Sequence, residues 1–340
     1  MAAVDRLTVY VLLALACALA APARAQGAAP HAIDIPRWFA ASFLDFRDDV
    51  AEAARDGKRV MVYIGQDGCP YCTRLMTANF SRPSIVDKMR RDFVAVALDL
   101  WGDREVVWTD GRTMSEKALA RALGVQFTPT LLFLDESGKV IVRLDGYYPP
   151  ARFEAVLDYV AQRKEHVLPL ADYLRRAGKE PASALMHDEP FFLPPPYDLA
   201  RRRGGKPLAV VFETPDCAPC DELHREGFKR SEVRALVDRF DVVRFALGAR
   251  TPVTTPDGRT MTAQAWAREL DVAFTPSIVF FDAAGREVFR ISAYLRPFHL
   301  ASSLDYVASG AYRGEASFQR YIQDRAERLR SRGEKVELWQ

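Results

Sequence analysis

Cysteine is scarce in this chain: five in 340 residues, alongside five histidines. So few thiols exclude a small fold stapled by many disulfides. Charge of one sign is also missing, since 47 Lys and Arg offset 45 Asp and Glu to leave a formal net charge of +2. The one dense basic run, Arg201-Arg202-Arg203, stands beside Gly204-Gly205 and reads as a solvated helix end, so nucleic acid is not expected as a partner. Nor is there an apolar run long enough to span a bilayer. The longest, Thr8 to Ala20, is followed by Ala23-Arg24-Ala25 and Gln26, a small-x-small cleavage pattern. Residues 1–25 therefore read as a secretory signal peptide, and the mature chain is expected in the periplasm. Cys17 lacks the Leu three places before it that a lipoprotein anchor would have.

Removal of residues 1–25 takes Cys17 away. Four cysteines are left, Cys69, Cys72, Cys217 and Cys220, in two pairs of identical spacing. The pairs belong to an internal repeat. Gly57-Lys58 and Cys69-Pro-Tyr-Cys72 recur 148 residues later as Gly205-Lys206 and Cys217-Ala-Pro-Cys220. Asp110-Gly-Arg-Thr-Met114, Phe127-Thr-Pro129 and Leu157-Asp-Tyr-Val-Ala161 recur 147 residues later, in the same order. The chain is a duplication.

Periodicity sketches each copy. In the first, a helix is expected over 41–56 from Phe43, Phe46 and Val50 on one face. A strand follows over 59–64, a helix from Cys69, another from Pro83, a strand over 93–100 and a helix over 115–123. Two strands, 130–135 and 139–144, join through Glu-Ser-Gly, and a helix over 152–162 closes the copy. This order predicts an α/β fold class, two tandem domains each with a mixed central sheet flanked by helices. The expected division is domain 1 over 38–163, a helical and Pro-rich linker over 164–200, domain 2 over 201–312 and a polar, exposed terminal helix or tail over 313–340. The linker, with a helix over 168–177 and three consecutive prolines, reads as a semi-rigid spacer.

Each Cys-x-x-Cys follows a strand and a short loop, so its first sulfur should stand at a helix N-terminus. Unpaired N–H groups and the helix dipole stabilise a thiolate there. Cys69 and Cys217 are thus the expected nucleophiles, and Cys72 and Cys220 the resolving thiols. A zinc site built from both pairs would need them about 15–20 residues apart, whereas 144 residues separate Cys72 from Cys217. A purely structural disulfide would leave the downstream prolines unexplained. Pro129 and Pro276 follow the first cysteines by 60 and 59 residues. A cis bond at each would free the backbones of Thr128 and Thr275 to pair with an extended substrate. His224, one turn after Cys220, could join the cysteines on copper or zinc; a solvent-facing ring is the plainer reading. Trp101 and Trp108 either line a groove or pack a loop.

These motifs resemble the thioredoxin superfamily and, through Leu100-Trp-Gly-Asp-Arg-Glu105 and Gly146-Tyr-Tyr-Pro-Pro150, the SoxW-type periplasmic thioredoxins. The likeness spans about 57–162 and 205–309. It implies dithiol–disulfide exchange with protein disulfide or dithiol substrates, no cofactor, and electrons from a membrane reductant of the DsbD or CcdA type. Oxidase or isomerase activity, copper delivery, and a scaffold with one active copy are the alternatives. Most such proteins carry one domain. The buried acid of thioredoxins, six residues before the first Cys, is here Tyr63 and Val211, which leaves Asp67 or Glu213 as candidate proton acceptors. The second copy has Gly248-Ala-Arg in place of the Trp-Gly-Asp stretch.

Overall fold

A computed structural model describes residues 33–176, 183–201 and 205–336. The expected signal peptide (1–25), Cys17 and most of the triple-Arg run lie outside the described residues. No helix among the described residues is long and apolar enough to cross a membrane.

In the first copy the elements run α1 (Phe46–Arg55), β1 (Arg59–Gly65), α2 (Pro70–Arg74), α3 (Pro83–Asp92) and β2 (Phe93–Asp99). They continue with β3 (Glu105–Val107), β4 (Thr113–Ser115), α4 (Glu116–Ala122), β5 (Thr130–Leu134), β6 (Val140–Asp145) and α5 (Pro150–Ala161). The sheet order is β2-β1-β5-β6, with β1 parallel to β2 and antiparallel to β5. Every residue of β1 is buried, as a central strand covered on both faces requires. Met61 and Tyr63 face the layer of α3 and α5, while Val60, Val62 and Ile64 face α1 and α4.

After α6 (Leu170–Arg176) the second copy begins with β7 (Tyr197–Asp198), β8 (Leu208–Glu213), α7 (Ala218–Glu222), α8 (Ser231–Val237) and β9 (Asp241–Ala246). It ends with β10 (Pro252–Thr254), β11 (Thr260–Thr262), α9 (Ala263–Glu269), β12 (Ser277–Phe281), β13 (Glu287–Ile291), α10 (Pro297–Ala308) and α11 (Phe318–Ser331). Its sheet order, β9-β8-β12-β13, reproduces the first. The α/β class and the duplication hold.

Three expectations are corrected. The first helix starts at Phe46, not 41. Leu44 has a φ of 66°, Asp45 caps the helix through Arg47 N, and the Leu44 carbonyl is taken by Val107 N, so this stretch is pinned beside β3. Phe43 consequently points fully into solvent. The 164–200 segment is not a spacer. Leu193 N donates to the Val242 carbonyl at 2.8 Å as Ala40 N does to Ala95, and Phe191 packs on Phe228 as Trp38 packs on Phe80. Its second half is therefore the opening segment of copy 2. The terminal helix α11 is not an exposed polar tail either. Phe318, Tyr321, Ile322 and Ala326 form a buried stripe at helical spacing, which its many arginines hide from a composition-based reading.

The copies interlock. Phe127, just before Pro129, packs into the core of the second copy, 5.5 Å from Phe289 and 5.2 Å from Phe318. Its counterpart Phe274 enters the core of the first, 4.8 Å from Tyr148. Tyr148 also donates its hydroxyl to the Ser292 carbonyl at 2.8 Å.

Candidate functional site

Each cysteine pair is built by the turn from a central strand into a helix. Cys69 is the N-cap of α2, with extended backbone angles (φ −82°, ψ 111°), and Pro70 supplies the first helical turn. An N-cap side chain normally offers oxygen to a free N–H; here the Cys69 Sγ accepts from Cys72 N at 3.0 Å. Cys217 repeats this at the start of α7, accepting from Cys220 N at 3.2 Å. Both pairs are closed as disulfides with Cα–Cα separations of 5.2 Å. All four cysteines are buried.

Opposite each pair stands the proline loop. The Thr128–Pro129 and Thr275–Pro276 bonds are both cis. Thr128 Oγ1 donates to Cys69 Sγ at 3.3 Å, and the Thr128 carbonyl lies 3.3 Å from the same sulfur. At the second site Thr275 Oγ1 is 3.6 Å from Cys217 Sγ and 3.1 Å from Thr214 Oγ1. The structure thus brings together, twice over, the sulfur pair and the Thr-Pro step that the sequence singled out.

Several residues around these centres carried no sequence signal of their role. Gln66 donates to Thr128 Oγ1 (3.1 Å) and to Gln319 Oε1 of α11 (2.6 Å), and accepts from Trp101 Nε1 (2.6 Å). Trp101 therefore borders the first site, with Arg320 over its ring, while Trp108 is buried against Phe46. Tyr71, between the first pair of cysteines, accepts from Arg296 N at 2.9 Å and meets His299 edge-on at 5.0 Å. Burial pushes the Tyr71 phenol up and pulls His299 down to about 4. At the second site Arg152 Nη1 donates to the Thr275 carbonyl at 3.3 Å.

Behind the pairs the copies diverge. At the first site the Tyr63 hydroxyl is buried with no hydrogen-bond partner among the described residues. It occupies the space a side chain at Gly65 would need, since a Cβ there would lie 2.0 Å from it. The counterpart of Gly65 is Glu213, which is buried, and the counterpart of Met76 is His224. His224 is not solvent-facing: only 1% of it is exposed. Its Nδ1 lies 3.0 Å from Glu189 and its Nε2 2.9 Å from Glu213. Burial opposes its charge, but the two carboxylates more than compensate and raise its pKa. His187 stacks on it at 4.7 Å and bonds Asp221 at 2.7 Å. With both ring nitrogens committed to carboxylates, His224 is not turned towards the cysteines as a metal ligand, and no group of three or more His, Cys, Asp or Glu among the described residues is arranged to hold a metal. Asp67, the other candidate proton acceptor, is exposed and accepts from Ile33 N.

A sheet of this order with a redox-capable cysteine pair at the β1–α2 turn and a cis-proline loop facing it defines a tandem thioredoxin-fold protein. The chain belongs to the thioredoxin-like domain family, whose model matches residues 46–161 and 199–308, once in each copy. Among solved structures it is similar to a thioredoxin-fold protein from Helicobacter pylori (25% identity, TM-score 0.32, covering 40% of this chain and 96% of that one). A thioredoxin from Thermus thermophilus (28%, TM-score 0.28, 34% and 83%) and the C-terminal domain of DsbD from Neisseria meningitidis in its oxidised form (17%, TM-score 0.26, 34% and 91%) are also similar. No curated protein matches.

Proposed function

We propose that this chain is an exported thiol–disulfide oxidoreductase that reduces protein disulfides at two sites, Cys69–Cys72 and Cys217–Cys220. The observation that carries the reading is that each first sulfur caps a helix and faces a Thr-Pro loop from within 3.6 Å or less. In the dithiol form the capping thiolate attacks a client disulfide, forming a mixed disulfide as one client thiolate leaves. The resolving thiol then gives up its proton and attacks the capping sulfur. The second client thiolate departs, the enzyme is left as a disulfide, and two electrons have passed to the client. A membrane reductant of the DsbD or CcdA type would return them. The signal-like N-terminus and the SoxW-type motifs of the first copy support a periplasmic setting.

The test is reduction of a model protein disulfide by Cys69→Ser, Cys217→Ser and the double variant. Each single change should remove one site's share and the double change all of it. Turnover by the double variant at the parent's rate would end the proposal. Direction is read from the potential of each pair: a value near about −270 mV supports a reductase, and one near about −120 mV an oxidase.

A further inference from the structure

The two sites present different approaches to a client. At the first, Tyr71 is packed on His299 and tied to Arg296 N, and Gln66 is tied to Gln319. Second-copy helices thus stand directly over that centre. At the second, Cys217 and Thr275 open into a cleft of about 620 Å³ whose far wall belongs to the first copy: Ala151 and Ala155 of α5, Ala171 and Leu174 of α6.

The repeat shows how the two approaches differ. The residues 147 places after Ala151, Ala155 and Ala171 are Phe298, Ser302 and Phe318. Phe298 and Phe318 are buried in the second copy, with Arg325 over the Phe298 ring. On the first copy's wall the same positions of the repeat are alanines, and Pro219 on the opposite side takes the place of Tyr71. The small residues leave the space.

We propose that this interdomain cleft receives an extended client segment carrying a disulfide flanked by small or aliphatic residues, so that the first copy supplies half of the second copy's substrate site. The proposal rests on the redox reading above. The attacking sulfur lies in the cleft, which fixes a disulfide as the group presented. The cleft volume falls in the range of about 300–1,000 Å³ typical of small-ligand sites, so a folded surface cannot enter but a few extended residues can. An extended backbone needs polar partners; the Thr275 carbonyl, which accepts from Arg152 Nη1 at 3.3 Å, lies in the cleft, and a client N–H would take that donor's place. The Ala and Leu wall suits small and aliphatic side chains, while Arg152 and Asp216 are the charged groups a client would meet in the cleft.

In protein carrying Cys69→Ser and Cys72→Ser, only the second pair works. Steady-state reduction of a disulfide-linked peptide with Ala and Leu flanks, with dithiothreitol as the electron donor and its direct reaction subtracted, is measured for the parent, Ala155→Trp, Ala171→Trp and the milder Ala155→Leu, with urea midpoints to show that each variant folds. The tryptophans should raise the peptide KM by about tenfold with kcat held within about twofold, and Ala155→Leu by about threefold. Trp in place of the Ala and Leu flanks should raise the parent's KM comparably. An unchanged KM in the folded variants, or no preference between flanks, overturns the assignment. Failure of the parent to reduce even hydroxyethyl disulfide would instead sink the redox reading on which it stands.

Discussion

Replacing His224 with Met, the residue at the equivalent place in the first copy, should destabilise the protein severely. The imidazolium sits between Glu189 and Glu213, with side-chain exposures of 2%, 6% and 2%. Without it, two buried carboxylates are left without their shared donor. Breaking a buried ion pair by removing one partner costs about 3–5 kcal/mol, and this change removes a partner from two pairs at once, so the upper part of that range is expected. Transplanting the first copy's full solution, Val211→Tyr, Glu213→Gly and His224→Met, together with Glu189→Gln, should recover more than roughly half of the loss. The Tyr hydroxyl would then fill the space the carboxylate vacates, as Tyr63 does over Gly65. Urea unfolding with linear extrapolation measures both changes. The pH dependence has a defined sign. A raised folded pKa means that the charged ring contributes fully below the ordinary imidazole value of 6.5 and loses that contribution as pH climbs through the raised one. The stability gap between parent and His224→Met should therefore narrow as pH rises above 6.5 and through the raised value. A loss under about 1 kcal/mol, or a gap that widens with pH, refutes the reasoning.

Phe274→Ala should cost about 3–5 kcal/mol, because it empties a socket in the opposite copy's core; calorimetry should show the first copy melting earlier even though the change is in the second. Tyr71→Phe removes an acceptor from the Arg296 N–H across the copies and should cost about 1–3 kcal/mol in urea unfolding while leaving the Cys217 site's turnover intact. Arg59 is buried, bonding Glu136, Glu165 and the Val160 carbonyl. The Arg59 hydrogen bond, opposed by burial, holds Glu136 down at about 2. Stability linked to that carboxylate is present above its ordinary value of 4.5 and is lost as pH falls towards about 2. Arg59→Met should therefore flatten the acid limb of an unfolding-versus-pH curve; an unchanged limb would discount the pair.

The geometry of the cysteine and proline turns is more legible in the sequence than the packing around them. The duplicated Cys-x-x-Cys and Thr-Pro steps sit at turns, where local sequence dictates geometry, and they fall together in space as their spacing suggests. The environment of His224 is hidden from the sequence because its partners are 35 and 11 residues away and only the fold brings Glu189 and Glu213 to its two nitrogens. The prolines of 194–196 made their surroundings look like a tether, although Phe191, Phe192 and Leu199 there pack on or within the second copy's cores. Periodicity carries the first helix back to 41 because Phe43 matches the period, while the left-handed Leu44 beside it, invisible to a periodicity count, breaks the path. In α11 the arginines dominated the composition and concealed the apolar stripe. His224 and the 191–199 segment depend on contacts between segments distant in sequence, whereas the left-handed Leu44 is a local feature that periodicity does not register.

The exchange of Phe127 and Phe274 has a consequence for anyone dividing this molecule. A cut between the halves would leave each with a ring stranded in water and a hole where its neighbour's ring belonged, so neither fragment would be a fair stand-in for the centre it carries. Because both rings immediately precede the Thr-Pro steps, the same severance would disturb the loops that face the sulfurs. The duplication has become a mutual obligation: each half is finished by the other.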